Sequence, residues 1–189
     1  MRTVVVAVLV AASLALTGCQ RPTTAAPTPV RSTDLTSSDG GFADDAVVGA
    51  VLAPGDDTLA ADLERGLDRA GFSPDVRVVP SSGAAAEQAR AVDTLVRAGA
   101  KALLVHAVDA DALAEAVQSA HDAGVVVVSV GASVPASGTG GDGVSADHRV
   151  PAAADAGTTA RAAVEVVRSL QRGEQPDTGD RRGRSGAGD

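Results

Sequence analysis

The sequence predicts an α/β fold, an open parallel sheet of four to five strands with helices on both faces. Three observations lead to this prediction. Apolar runs without polar alternation, such as residues 125–130, are typical of strands buried on both faces. Segments with the apolar spacing of amphipathic helices alternate with these runs. A glycine follows each helical segment, at the position where helices often end in a residue with positive φ.

The first strand–helix unit begins at Val47. Residues 47–53 are apolar and lead into Pro54-Gly55, and Asp56, Asp57 or Thr58 is suited to cap the next helix. The apolar positions of that helix share one face: Leu59, Leu63, Leu67 and Ala70. Gly71 ends the helix, and Phe72 follows at a position where an apolar side chain usually packs back.

The second unit is a short strand, residues 76–79, and a helix that starts at Ser81 or Ser82 and ends at Gly99. The pattern predicts this helix to face the core with a further set of residues: Ala85, Ala89, Val92, Leu95 and Val96.

The third unit is a strand at Ala102–Val105, which stops at His106. Asp109 or Asp111 is placed to cap the next helix, His121 is expected on its surface, and a strand follows at 125–130. The predicted core face of the helix contains four residues: Leu113, Ala116, Val117 and Ala120. A Gly/Ser loop at 131–143, a possible strand at 144–146 and a helix within 152–170 complete the pattern.

Two stretches carry a family resemblance, VRAGAKALLVHAVDADAL and DAGVVVVSV. They resemble the N-terminal lobe of type I periplasmic binding proteins, the ribose-binding-like group, and the resemblance runs from residue 47 to about 130. It implies a substrate-binding module that works with an ABC permease or a membrane sensor, and a sugar-type ligand. Such proteins hold their ligand between two lobes, whereas this chain reads as one lobe, truncated before the second.

The N-terminus predicts a lipoprotein. Arg2 precedes an apolar stretch at 4–16, which is too short to span a bilayer but suits a signal peptide. Leu16-Thr17-Gly18-Cys19 resembles the bacterial lipoprotein cleavage box, which implies that residues 1–18 are removed and that Cys19 carries lipid. The expected location is the cell membrane, facing outside the cytoplasm. An uncleaved signal anchor is the alternative.

Composition sets the remaining boundaries. Residues 19–46 are rich in Pro, Thr, Ser and Ala and are predicted to form a disordered stalk, with the lobe at 47–172 and a disordered tail at 173–189. The formal net charge of −8 argues against a nucleic-acid partner, because phosphate backbones attract basic proteins.

Candidate ligand-binding residues follow the first and third predicted strands, because sites in parallel sheets lie at the carboxyl ends of strands. They are Asp56, Asp57, His106, Asp109 and Asp111. The chain contains no Trp or Tyr, so a sugar would find hydrogen-bond acceptors without a stacking ring. Imidazole and carboxylate groups also suit a divalent metal, and five such residues lie near predicted strand ends, where we expect them on one edge of the sheet: His106, Asp109, Asp111, Asp147 and His148. No pair among them has a compact ligand spacing, and no metal or other cofactor is predicted.

No catalytic motif is present, since Gly131-Ala132-Ser133-Val134 is not a nucleophile elbow and no Walker motif occurs. We therefore expect a binding protein and not an enzyme. The leading hypothesis is solute recognition for ABC import or sensing. The alternatives are a protein–protein interaction lipoprotein that has lost ligand binding, and a truncated remnant without function.

Overall fold

The computed structural model describes residues 41–131, 146–174 and 176. These residues form a five-stranded parallel sheet in the order β2-β1-β3-β4-β5, which confirms the predicted fold class. The strands are β1 (Val47–Leu52), β2 (Ser73–Val78), β3 (Ala102–Val105), β4 (Val126–Val130) and β5 (His148–Val150). The strand predicted at Ala102–Val105 has the observed bounds.

Four helices of the described residues cover the sheet: α1 (Asp57–Arg69), α2 (Ala84–Arg97), α3 (Ala114–Asp122) and α4 (Ala156–Gln171). A single 3₁₀ turn, Asp111–Leu113, leads into α3. Helices α1 and α4 pack on one face of the sheet, and α2 and α3 pack on the other. The sheet is therefore a middle layer between two helical layers.

The central strands supply both cores at once. Along β3, Ala102 and Leu104 point into the core beneath α1 and α4, whereas Leu103 and Val105 point into the core beneath α2 and α3. All four residues are completely buried. Because side chains of a strand alternate between the two faces, a strand buried on both faces must be apolar at every position. This is the physical basis of the uninterrupted apolar runs.

The end of α1 follows the predicted pattern. Gly71 has φ +95° and donates its backbone N–H to the carbonyl of Asp68, while Phe72 donates to the carbonyl of Leu67. These two bonds form a Schellman motif, which satisfies carbonyls that have no partner within the helix. Phe72 is buried against the α1–α4 core, as predicted.

Three elements differ from the prediction. β2 begins at Ser73, three residues before the predicted start at 76, because pairing with β1 extends through Pro74 and Asp75. Helix α2 begins at Ala84, after Gly83, and the serines at 81 and 82 lie outside it. The last strand is β5, which starts at His148; the possible strand at 144–146 lies mostly outside the described residues.

Residues 41–46, which the sequence analysis assigned to the stalk, contact the lobe. The ring of Phe42 packs against Phe72 with a centroid distance of 5.9 Å. The Asp44 carboxylate accepts a hydrogen bond of 2.7 Å from the side chain of Gln171, at the end of α4. One aromatic residue within a Gly- and Asp-rich segment gives no periodicity from which this packing could be predicted.

Several predictions lie outside the described residues: the signal peptide at 1–18, Cys19, the stalk up to residue 40, the loop beyond Gly131 and the tail beyond residue 176. Among the helices that the structure describes, none has the length and apolar character needed to cross a bilayer.

Candidate functional site

The site lies where the order of the sheet reverses. From β1 the chain runs to β2 on one side, and from β2 it returns to β3 on the other side of β1. In parallel sheets, the loops that follow the two strands at such a point diverge and leave a crevice at the carboxyl edge. Asp56 follows β1 and His106 follows β3, so the two candidate residues face each other across this crevice. His106 Nδ1 lies 2.5 Å from Asp56 Oδ2.

Asp56 is held in place by its own turn. It occupies the N-cap position of α1, yet its side chain does not cap the helix. Instead, Oδ2 accepts a hydrogen bond of 3.1 Å from the backbone N–H of Ala53, and the same oxygen contacts His106. Asp57 is the first residue of α1 and is exposed. The capping role predicted for this group of residues is thus replaced at Asp56 by a contact across the crevice.

The loop that carries His106 is fixed from below by Gln88. This α2 side chain is completely buried. Its amide nitrogen donates to the carbonyl of His106 at 2.7 Å, and its amide oxygen accepts from the backbone N–H of Val108 at 2.8 Å. Gln88 therefore satisfies two backbone groups that no strand partner reaches. Sequence reasoning missed it and placed Ala85 on the core face of α2 instead; Ala85 is only partly buried.

A cavity of about 210 Å³ opens beside the Asp56–His106 pair. Its lining also includes Leu59, Val130 and Gly131, together with residues 152–156 and Thr159 at the start of α4. Complete small-molecule pockets usually measure roughly 300–1,000 Å³ and bury most of their ligand. The cavity formed by the described residues is smaller than this range.

The α4 side of the cavity contains a second carboxylate. Asp155 caps α4, since its two oxygens accept from the backbone N–H of Thr158 at 2.7 Å and from the Thr158 hydroxyl at 2.8 Å. These hydrogen bonds lower the pKa of Asp155 below its ordinary value of 3.8. The Thr159 hydroxyl accepts from the N–H of Ala153 and donates to the carbonyl of Asp155. These hydrogen bonds hold the start of α4 in place.

The other two candidates lie apart from the cavity. Asp109 Oδ1 accepts from the backbone N–H groups of Asp111 and Ala112, at 3.0 and 3.2 Å, and so caps the turn before α3. Asp111 is an exposed residue of that turn. Of the five predicted ligand residues, the structure brings Asp56 and His106 together in the cavity lining, and Asp57, Asp109 and Asp111 are not part of that lining.

A second histidine–aspartate pair lies at the opposite edge of the sheet. His121 Nε2 is 3.1 Å from Asp147 Oδ2, and the same oxygen accepts from the N–H of Val127 at 2.8 Å. The expectation that His121 is a surface residue was wrong, because Asp147 arrives from the start of β5 and covers it. Asp147 and His148 lie at the amino end of β5, whereas His106 follows the carboxyl end of β3. The expectation that Asp147 and His148 share an edge of the sheet with His106 was therefore wrong.

His148 also lies at the start of β5, where it is partly buried. Burial lowers the pKa of His148 below its ordinary value of 6.5, and the neighbouring Asp147 carboxylate partly opposes that effect. Within the described ranges, no group of three or more His, Cys, Asp or Glu side chains is arranged to hold a metal ion.

The sequence pattern of the periplasmic binding protein domain matches residues 48–154, more than half of the chain. The chain belongs to this family. The match covers β1 to β5 and includes both residues of the Asp56–His106 pair. The family consists of binding proteins and not of enzymes, in agreement with the absence of a catalytic motif from the sequence.

One solved structure agrees with this fold. An ABC transporter solute-binding protein from Clostridium phytofermentas with bound L-rhamnose has 19% identity and a TM-score of 0.50, over 60% of this chain and 34% of its own. A carbohydrate transporter solute-binding protein from Chloroflexus aurantiacus, in complex with D-glucose, has 26% identity and a TM-score of 0.45, over 55% and 29%. The chain thus spans about a third of these relatives. The comparison with curated proteins found no significant match.

Proposed function

We propose that this periplasmic-binding-protein lobe binds a small hydroxylated solute, of sugar type, at the carboxyl edge of its sheet. The observation that carries the proposal is the Asp56–His106 pair, which bridges the crevice between β1 and β3 and lines a cavity there. Carboxylate and imidazole groups are hydrogen-bonding partners for hydroxyl groups. The sugars bound by the two solved relatives support the same ligand class.

The affinity expected of this lobe alone is low. The cavity measures only about 210 Å³ in the described residues, and neither Trp nor Tyr is available in the chain to stack on a sugar ring. Hydrogen bonds to a ligand replace hydrogen bonds to water and so add little net free energy. We expect common monosaccharides to bind no tighter than roughly millimolar, about −4 kcal/mol.

Titration of the full chain with a monosaccharide panel, followed by NMR, tests this function. Added sugar is expected to shift the ring signals of His106, and Asp56→Ala should abolish the shift. Asp68→Ala, an exposed carboxylate at the far end of α1, is the matched control and should leave the titration unchanged. Asp57, Asp109 and Asp111 remain predicted ligand residues, and alanine variants test them in the same way. If no sugar moves the His106 signals, solute binding at this edge is refuted.

We also propose that the protein is anchored by lipid on Cys19 and works at the outer side of the cell membrane, beside an ABC permease or a membrane sensor. The support is the apolar stretch at 4–16 followed by Leu16-Thr17-Gly18-Cys19. Intact-mass measurement of the protein from its native membrane should show diacylglyceryl mass on Cys19, and Cys19→Ala should leave an unprocessed precursor. A native protein without that mass would contradict the anchor.

A protein-contact role is the second candidate function. It is favoured by Val108, which follows His106 in the loop after β3 and is 49% exposed, although it is a large apolar residue. A chain that binds no sugar but forms a defined complex with a membrane protein, weakened by Val108→Ser, would favour this function over solute binding.

A further inference from the structure

The carboxylate side chains among the residues that line the cavity point to the charge of the ligand. The inference rests on the proposed solute-binding function, because it concerns the same site. It depends on how each polar side chain of the lining is already paired within the described residues.

The Asp56–His106 pair leaves one carboxylate oxygen for a ligand. Asp56 Oδ2 is taken by the N–H of Ala53 and by His106, whereas Asp56 Oδ1 has no partner among the described residues. A carboxylate oxygen only accepts, so the Nδ1 of His106 is the donor in this pair, and a ligand that contacts Asp56 Oδ1 must also donate.

The remaining polar side chains of the lining add negative charge without adding donors. Asp155 has both oxygens bonded to Thr158, and the Thr159 hydroxyl has its own donor and acceptor partners. The Asp155 carboxylate also occupies the positive end of α4, where an anion would otherwise be drawn. The side chains of the described lining include two carboxylates and no Lys or Arg, and the nearest cation named by a contact is Arg149, which donates to the carbonyl of Gly131 at 3.0 Å.

We infer that the site selects a hydroxylated ligand with a protonated amine, that is, an amino sugar or a related amino-polyol, over neutral sugars and over sugar acids. An ammonium group offers three donors and no acceptor, which matches the free Asp56 Oδ1, and its charge is opposite to that of the carboxylates. A sugar acid would bring a carboxylate against acceptors and like charge. Neutral hydroxyls satisfy the acceptors without the charge term.

The test compares three probes with the same ring size and different charge: D-glucosamine, D-glucose and D-glucuronate. The full chain is titrated with each at neutral pH and low ionic strength, and the His106 ring signals are followed by NMR. D-glucosamine is expected to bind about five-fold tighter than D-glucose, the size of a partly exposed charge interaction, with D-glucuronate weakest. Asp56→Asn should remove most of the difference between D-glucosamine and D-glucose.

Two controls keep the result interpretable. Asp68→Asn removes one carboxylate far from the cavity and should preserve the ranking, which excludes an effect of net charge alone. Added salt should compress the ranking, because screening weakens interactions between charges. Equal or tighter binding of D-glucose would overturn the inference and leave the proposed solute site standing. If none of the three probes binds, the proposed function itself fails.

Discussion

The molecule contains two histidine–aspartate pairs at opposite edges of one sheet, and their surroundings differ. At the carboxyl edge, His106 and Asp56 lie 2.5 Å apart, and their side chains are 32% and 22% exposed. At the amino edge, His121 and Asp147 lie 3.1 Å apart, and each is 9% exposed. The same two residue types thus form an accessible pair beside a cavity and an inaccessible pair within the fold.

The difference lies in what each carboxylate does besides contacting its histidine. Asp147 accepts a backbone N–H from β4, so the buried pair joins the start of β5 to β4 and α3. Asp56 accepts a backbone N–H within its own turn, and its second oxygen has no partner among the described residues. The two pairs therefore share their residue types and differ in exposure and in the backbone group that the carboxylate also binds.

The largest expected effect is a difference in stability between alanine variants of the two pairs. Asp147→Ala leaves the Val127 N–H and the His121 ring without their acceptor inside the protein, and should cost about 2–4 kcal/mol of unfolding free energy. Asp56→Ala, at the exposed pair, should cost about 1 kcal/mol or less, since water replaces the lost partner. Urea denaturation of both variants measures the contrast. Equal losses would show that the pairs do not differ in structural role.

The next largest expected loss of stability is at Gln88, which supports the loop that carries His106. Gln88→Leu removes the partners of the His106 carbonyl and the Val108 N–H, and should cost about 1–3 kcal/mol. Gln118→Leu is the matched control, because Gln118 is an exposed glutamine that contacts Asp122, and it should change stability by about 0.5 kcal/mol or less. The same denaturation curves report both variants. A Gln88 variant as stable as the control would remove the argument for this support.

Alanine variants of two glycines distinguish the effect of backbone strain from the effect of contact with the Asp56–His106 pair. Gly131 has φ +88°, and a Cβ there would lie 3.4 Å from His106 Nε2. Gly124 has φ +73°, with nothing within 4 Å of such a Cβ. Alanine at either position should cost about 1–2 kcal/mol from the left-handed backbone. Gly131→Ala alone is expected to shift the His106 ring signals in NMR; matching spectra from both variants would contradict this.

The smallest expected effect is the pH dependence of stability that comes from His148, at the amino edge of the sheet. Because the pKa of His148 is lowered below 6.5, the unfolded chain binds a proton more readily than the folded chain. The unfolding free energy should therefore fall as the pH drops through 6.5, until the folded pKa is reached. His148→Gln should flatten this part of the profile. If the unfolding free energy of His148→Gln depends on pH around 6.5 as steeply as that of the native protein, His148 is not responsible.

The fold was predictable because the signals that determine it are local. The run Ala102–Val105 is apolar on every position, and the core face of α3 repeats at helical spacing. Both patterns follow from geometry within a single element, so no knowledge of distant partners is needed. The bounds of β2 were less accurate, because its first residues are Ser73, Pro74 and Asp75, and only pairing with β1 makes them a strand.

The site was predictable in part. Asp56 and His106 could be proposed because both follow strands of a parallel sheet. That the two loops meet depends on the order of the strands, and that Asp56 rather than Asp57 pairs with His106 depends on the turn in which Asp56 also accepts from Ala53; a single sequence encodes neither locally. Gln88 was missed for a related reason, since its burial is explained by backbone groups of a loop 18 residues away. His121 was misplaced because its partner is 26 residues away in the chain.

The contact of residues 41–46 with the end of α4 has a topological consequence. A Cβ on Gly173 would lie 3.7 Å from the backbone nitrogen of Gly41, so the two ends of the packed region are neighbours in space. The chain of the packed region therefore ends close to where it begins. A short linker between these ends would make a circular permutant, with new termini opened at an exposed turn such as Ser81-Ser82. The lobe is therefore suited to insertion as a unit into a loop of another protein.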